Sequence, residues 1–350
     1  MEDYEKTMMK EDFENGGLMG PDSHELPKQT KKHFSRIGFA YFFGTLIIFA
    51  VQYLTTWIVQ RFFPQIMTGY DTVLIISSLS MYLLAIPFLA ALVRRIPGTA
   101  IQEHKMGIGK WVAAFLMSYA VMYLSNLIGV VITQSISVIK GDAVRNLMGE
   151  VVSEISPLTA FVLMVICAPI VEEYTFRKLI ADRTVKYGEK TAIVLSGLMF
   201  GLFHGNLNQF DYAFTLGMFF AFIYVKTGKL IYTITLHAAI NFMGSIPGIF
   251  MLKSEAFAEF ADMSGDIDEM MYLFASYAQE IMVYILYLIF VIVLVAAGVI
   301  CWGLSFKKMK CVPGEVIIMK GQRFRTVILN GGMILYSLFW IWQIIKQLTE

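Results

Sequence analysis

The chain has 350 residues, of which 57% are hydrophobic and 16% are charged, and its mean hydropathy is +0.63. Soluble chains contain about a quarter charged residues, so a soluble enzyme, a nucleic-acid binder and a disordered protein are excluded. The net charge of +1 implies no nucleic-acid partner. Three cysteines without a CxxC pair exclude a disulfide framework and a thiolate zinc site. We therefore expect a membrane protein with several spans.

Apolar runs long enough to cross a bilayer recur along the whole chain. They lie at 37–60, 72–93, 111–134, 158–181, 191–209, 211–226, 230–250, 281–305 and 327–345. The sequence predicts an all-α polytopic transmembrane helical bundle of about nine spans. Eight spans are the alternative, because the run at 211–226 is short.

Basic residues predict the orientation of this bundle. With the N-terminus in the cytoplasm, the inner segments hold 20 Lys and Arg residues and the outer segments hold 5. Because basic residues are retained on the cytoplasmic side, we expect a cytoplasmic N-terminus and an external C-terminus.

The spans divide the chain into five predicted regions. Residues 1–36 form a cytoplasmic tail that we expect to be largely disordered, since 1–26 hold eight acidic residues and two lysines. Residues 37–154 contain spans one to three and an outer loop, and 155–250 contain a core of spans four to seven. Residues 251–280 form an acidic outer loop with a surface-lying helix. Residues 281–350 contain spans eight and nine.

Ionisable residues inside the membrane are concentrated in three spans. An ionisable side chain at this depth costs roughly 2.5–3.5 kcal/mol and tends to mark a functional site. The side chains concerned are Glu172, Glu173 and Arg177 on span four, His204 on span five, and His237 with the amide Asn241 on span seven. Counting about 1.5 Å per residue places them between the midplane and the cytoplasmic face. We therefore expect a shared cavity that opens toward the cytoplasmic leaflet.

Local sequence indicates that these spans approach one another closely. Gly197, Gly201 and Gly205 form a small-xxx-small stripe beside His204, which lets a second helix approach. Pro169 removes the hydrogen bond to the carbonyl of residue 165 and would open the helix just before the two glutamates.

One chemical interpretation of these residues is the activation of water. Glu173 and Arg177 are spaced i,i+4, so Arg177 can neutralise Glu173 and leave Glu172 as a general base. Glu172 with His204 would then polarise a water molecule. His237 and Asn241, also spaced i,i+4, would donate hydrogen bonds to an oxyanion.

The second interpretation is a metal centre. Glu172, His204 and His237 form a potential His₂Glu ligand set for zinc, with water at the fourth position. Zinc is the only cofactor that the residues suggest, and both interpretations stay open on the sequence.

Three motifs in these spans resemble those of a known family. EEYTFR at 172–177 fits EExxxR, FGLFH at 200–204 fits FxxxH, and HAAIN at 237–241 fits HxxxN. Their order and spacing resemble the CPBP/Abi intramembrane proteases, which include CAAX prenyl endopeptidases and bacteriocin-processing homologues. The resemblance covers about residues 155–250. It implies that Glu172 is the general base, His204 its partner, His237 and Asn241 the oxyanion site, and Glu173 and Arg177 supporting residues.

These motifs lead us to expect an intramembrane endopeptidase of metallo- or glutamate type in a multi-pass cell-membrane protein, in a bacterial plasma membrane. Its partners would be a membrane-associated peptide or protein substrate and the lipid bilayer, and the sequence does not predict the oligomeric state. HExxH, GxGD and GxSG motifs are absent, and Ser196 lies too far from His204 along one helix to form a serine dyad. The alternatives are a non-catalytic immunity or scaffold protein of the same family, and a secondary transporter with a carboxylate coupling site.

Overall fold

The structure is a computed structural model, and it describes residues 25–349. This described part contains helices and no strands. Their bounds are α1 Glu25–Phe62, α2 Tyr70–Arg94, α3 Ile108–Lys140, α4 Leu147–Glu154, α5 Pro157–Tyr187, α6 Glu189–Phe203, α7 Leu207–Thr227, α8 Leu230–Leu252, α9 Glu255–Asp262, α10 Ile267–Ser276, α11 Ala278–Lys308, α12 Arg323–Val327 and α13 Gly331–Thr349.

The all-α membrane bundle is confirmed. Helices α1, α2, α3, α5, α8 and α11 are long and apolar enough to cross a membrane. The other three predicted spans also form helices, namely α6 with 15 residues, α7 with 21 and α13 with 19. The chain is therefore a multi-pass membrane protein.

Two predicted boundaries are wrong. Helix α1 begins at Glu25, so residues 25–36 are helical and do not belong to a disordered tail; residues 1–24 lie outside the described part of the chain. The predicted span 191–209 ends early, because α6 stops at Phe203 and α7 begins at Leu207. Asn206 caps α7 by accepting a hydrogen bond from the backbone N–H of Gln209 at 3.0 Å. The predicted outer loop 251–280 contains the short helices α9 and α10.

The two largest of the four apolar clusters in residues 25–349 hold most of the helices together. One cluster is built mainly from α1, α2, α5, α6 and α13. The other is built from α3, α7, α8 and α11. Helix α6 packs directly on α7, and the glycine stripe makes this contact possible. A Cβ atom added at Gly197 would lie 2.8 Å from the backbone N of Met218, so no larger residue fits there.

Helix α5 departs from regular α geometry in two places. Ser156 caps its start, and π-helical turns follow at Phe161–Cys167 and Glu173–Lys178. Pro169 lies between these two wide turns, as expected for a residue that cannot donate a backbone hydrogen bond. π-Helical turns are frequent at functional sites, and the second one contains Glu173 and Arg177.

Candidate active site

A buried network of charged side chains joins α5 to α8. Arg177 donates from Nε to Glu173 Oε2 and from Nη2 to Glu173 Oε1, each at 3.0 Å, and both side chains are 0% exposed. His237 Nδ1 lies 2.9 Å from the same Oε1. Because an ionised carboxylate only accepts hydrogen bonds, Nδ1 carries the proton. Glu173 therefore fixes the orientation of the His237 imidazole.

Helices α6 and α7 complete the surroundings of Arg177. Its Nη1 donates to Ser196 Oγ at 3.4 Å, and this hydroxyl donates to the carbonyl oxygen of Phe176 at 2.7 Å. The guanidinium carbon lies 4.3 Å from the centroid of the Phe200 ring and 5.9 Å from that of Phe220. A buried charge is tolerated only when its hydrogen bonds are satisfied, and these contacts meet that condition.

Glu172 differs from Glu173 in its surroundings. Its Oε2 lies 3.7 Å from His237 Nε2, beyond hydrogen-bond distance, and its side chain is 24% exposed, whereas that of His237 is 8% exposed. Within residues 25–349, no group donates a hydrogen bond to the Glu172 carboxylate. The structure thus places an accessible carboxylate beside an imidazole whose other nitrogen is already held.

His204 lies next to this cluster without touching Glu172. Its Nδ1 donates to the carbonyl oxygen of Phe200 at 2.9 Å, which leaves Nε2 as the free nitrogen. The Phe200 ring contacts both imidazoles, with centroid distances of 4.8 Å to His204 and 5.9 Å to His237. No ion pair joins His204 to a carboxylate in the described chain, and Phe200 lies against both histidines.

His204 follows the last residue of α6, at the end of this helix remote from Glu189. It faces a cavity of about 220 Å³ whose lining includes Arg145, which follows the end of α3, and Gln347, in the last turn of α13. This cavity therefore lies at the end of the bundle where α3 and α13 end, and the expected opening toward the cytoplasmic leaflet stays a prediction.

Asn241 holds α8 against the first wide turn of α5. Its Nδ2 donates to the carbonyl oxygen of Met164 at 2.8 Å. One amide hydrogen is used in this bond, and the second remains for another acceptor. The assignment of Asn241 to an oxyanion site stays a prediction.

The predicted zinc set does not fit the observed geometry. Among the residues that the structure describes, no three His, Cys, Asp or Glu side chains are arranged to hold a metal ion. His237 directs Nδ1 to Glu173, and His204 lines the cavity described above. Glu172, His204 and His237 therefore do not form a ligand set in the described chain.

Three contacts of the site were missed in the sequence. Ser196 was considered only as a nucleophile, although a hydroxyl directly before the glycine stripe can donate to or accept from a buried neighbour, here Arg177. Phe200 is the first residue of the FGLFH motif, so a signal for its role was present. Phe220 has no distinguishing signal among the many aromatic residues of its span.

Fold and site together define a multi-pass helical membrane protein with a buried glutamate, arginine and histidine cluster. Residues 154–243, about a quarter of the chain, match the family model described as type II CAAX prenyl endopeptidase Rce1-like. This Rce1-like match confirms the predicted resemblance of the segment to the CAAX proteases. No curated protein and no solved structure matches the chain.

Proposed function

We propose that this protein is an intramembrane endopeptidase that hydrolyses a peptide bond of a membrane-associated peptide or protein. The observation that carries the proposal is the pairing of an accessible, unbonded Glu172 with a His237 that Glu173 and Arg177 hold in place. If the cluster served only to hold the helices together, the ion pair between Glu173 and Arg177 would be sufficient, and Glu172 and His237 would not be needed beside it. The family match over residues 154–243 supports the same class of reaction.

The geometry favours Glu172 as the general base. A water molecule bound between Glu172 and His237 Nε2 would lose a proton to the carboxylate as its oxygen attacks the peptide carbonyl carbon. The protonated carboxyl group would then deliver that proton to the leaving nitrogen as the C–N bond breaks. His237 would act here with a proton on each ring nitrogen, so that Nε2 donates to the oxyanion while Nδ1 keeps its bond to Glu173 and no proton is transferred to or from the ring. Asn241 would supply a second donor.

His204 keeps the role expected from the sequence, in which its imidazole orients the attacking water while Glu172 takes the proton. Its Nδ1 is held by the Phe200 carbonyl, which leaves Nε2 for the water. We further propose that the protein resides in a bacterial plasma membrane; its long apolar helices support a multi-pass membrane location.

The test compares peptide cleavage by purified protein in lipid nanodiscs for the wild type, Glu172→Gln and the matched control Glu259→Gln. Glu259 is an exposed glutamate on α9. Because a general base contributes typically 10²–10⁴-fold, we expect Glu172→Gln to lose at least about 100-fold in kcat and the control to match the wild type. A metal chelator should leave both active proteins unaffected.

Other outcomes would contradict the proposal in distinct ways. Equal cleavage by wild type and Glu172→Gln would remove Glu172 as the base. Loss of cleavage with chelator and its return with zinc would restore the metal interpretation. No cleavage of any lipid-anchored peptide by the wild type would favour the non-catalytic immunity or scaffold protein.

A further inference from the structure

A basic segment at 306–325 leads from the end of α11 into α12. It contains six Lys and Arg residues and one acidic residue, Glu315. All six basic side chains are exposed, and within residues 25–349 none of them has a hydrogen-bond or ion-pair partner. They are Lys307, Lys308, Lys310, Lys320, Arg323 and Arg325. The positive charge of the basic segment is therefore available to a partner outside the chain.

Large apolar side chains are interspersed with these cations and are also exposed. Phe306, Ile317 and Phe324 are 69%, 68% and 64% exposed. The basic segment joins α11, which is long enough to cross a membrane, to α12 and the predicted span α13, so it lies at the membrane surface. A soluble anion would leave the three apolar side chains in water, whereas a bilayer surface offers charged headgroups beside apolar chains. The combination of charge and apolar surface therefore favours phospholipid as the partner.

The middle of the basic segment is held against the turn between α5 and α6. The backbone N–H of Val312 donates to Glu189 Oε2 at 2.7 Å, and the carbonyl oxygen of Val312 accepts from the backbone N–H of Glu189 at 3.2 Å. Gly314 packs so closely on Gly188 that an added Cβ atom would overlap the backbone nitrogen of Gly188. The segment therefore presents its cations from a fixed backbone, which lowers the entropy cost of binding a partner.

We propose that the basic segment 306–325 binds the anionic headgroups of phospholipids in the leaflet on the predicted cytoplasmic side. The exposed Lys and Arg side chains contact the lipid phosphates, while Phe306, Ile317 and Phe324 enter the boundary between headgroups and acyl chains. Because the segment is bonded to the turn between α5 and α6, bound lipid also fixes this end of the two helices. The interaction does not depend on the proposed endopeptidase function.

The experiment titrates phosphatidylglycerol, an anionic lipid, and phosphatidylcholine, a neutral one, into the full-length protein in neutral detergent micelles. Native mass spectrometry measures the dissociation constant of each lipid. The wild type is compared with a variant that lacks three cations of the basic segment and with a control that lacks three exposed cations on the predicted outer side. The segment variant carries Lys310→Gln, Arg323→Gln and Arg325→Gln, and the control carries Arg61→Gln, Lys140→Gln and Lys253→Gln. Thermal unfolding checks that both variants are folded.

We expect the wild type and the control to bind phosphatidylglycerol at least about tenfold more tightly than phosphatidylcholine, and the segment variant to lose this preference. Each Lys or Arg at an anionic surface contributes about fivefold in affinity, so the loss of three is measurable. Excess inorganic phosphate should not displace the lipid, because it has no acyl chain. Equal binding of both lipids by the wild type, an equal loss in both variants, or displacement by phosphate would overturn the proposal.

A second measurement needs the wild type alone. Exchange of phosphatidylcholine for phosphatidylglycerol in nanodiscs should slow hydrogen exchange of residues 309–322, because bound headgroups shield this irregular stretch from water. Unchanged exchange would contradict the lipid contact. Neither measurement uses peptide cleavage, so failure of the proposed function would leave this test intact.

Discussion

His237 Nδ1 lies 2.9 Å from Glu173 Oε1, the oxygen that also accepts a hydrogen bond from Arg177 at 3.0 Å. One carboxylate oxygen thus joins the cation of α5 to the imidazole of α8. Because the Glu173 carboxylate is fully buried, Arg177 compensates its charge, and Glu173 in turn fixes the orientation of Arg177 and His237. The consequences for stability and activity can be tested separately.

Replacement of Glu173 by Gln should destabilise the protein as well as inactivate it. The substitution leaves Arg177 as an unpaired buried charge, which costs about 3–5 kcal/mol. The measurement is thermal or denaturant unfolding in nanodiscs. The double variant Glu173→Gln with Arg177→Met should recover part of this loss because no charge remains unpaired, while cleavage stays absent. Equal stability of the single variant and the wild type would contradict the buried pairing.

Replacement of Ser196 by Ala should leave hydrolysis in place. The Ser196 hydroxyl supports Arg177 and the carbonyl of Phe176, so its loss should cost about 1 kcal/mol of stability. Peptide cleavage and unfolding are measured on the same preparation. Loss of cleavage in a folded Ser196→Ala protein would revive a serine nucleophile, which the geometry does not favour.

Replacement of Gly197 by Ala should separate α6 from α7. The added methyl group would come within 2.5 Å of Met218 Cγ and 2.9 Å of the Phe214 carbonyl oxygen, an overlap that costs typically 1–3 kcal/mol. Gly303→Ala in α11 is the matched control, because its Cβ meets no atom within 4 Å. The Gly303→Ala substitution should stabilise the protein by about 1 kcal/mol, because Ala favours the helix more than Gly does. Stability changes of the same sign in both variants would contradict the close contact.

Acidic pH should break the ion pair between Arg145, in the turn before α4, and Glu150 on α4. Hydrogen bonds from the Arg145 guanidinium hold the pKa of Glu150 below its usual value of 4.5. Since the folded-state pKa is lowered, the stabilisation is present above pH 4.5 and is lost as the pH falls through the folded value. Hydrogen exchange of Leu147–Glu154 should rise in acid relative to the Glu150→Gln protein at the same pH. Identical exchange in both proteins would contradict the pairing.

Apolar runs and motif spacing were sufficient to predict the helices and the elements of the site. Long uncharged runs force helices because lipid cannot satisfy backbone groups, and each predicted span is mainly helical. The end of α6 at Phe203 was missed because the turn 204–206 lies within an uncharged run, although Gly205 has a positive φ of 63° and Asn206 is a strong N-cap. Both residues are turn signals that hydropathy alone overlooks.

The wide turns of α5 were harder to predict. Pro169 indicates a disturbed helix, but the placement of two π-helical turns depends on partners from other helices, such as Asn241 at the Met164 carbonyl. The partner of His237 was likewise unpredictable, because Glu172 and Glu173 are adjacent and only the observed helix rotation shows which one it contacts.

Two tyrosines outside the family-matched segment cap backbone groups inside it, and they set an order of assembly. Tyr41 on α1 donates to the carbonyl oxygen of Thr175, and Tyr336 on α13 donates to that of Met199. Because α13 follows the family-matched segment in the chain, the Met199 carbonyl gains its Tyr336 donor only after α13 has been inserted beside α6. Helices outside the matched segment therefore complete the packing around the proposed site.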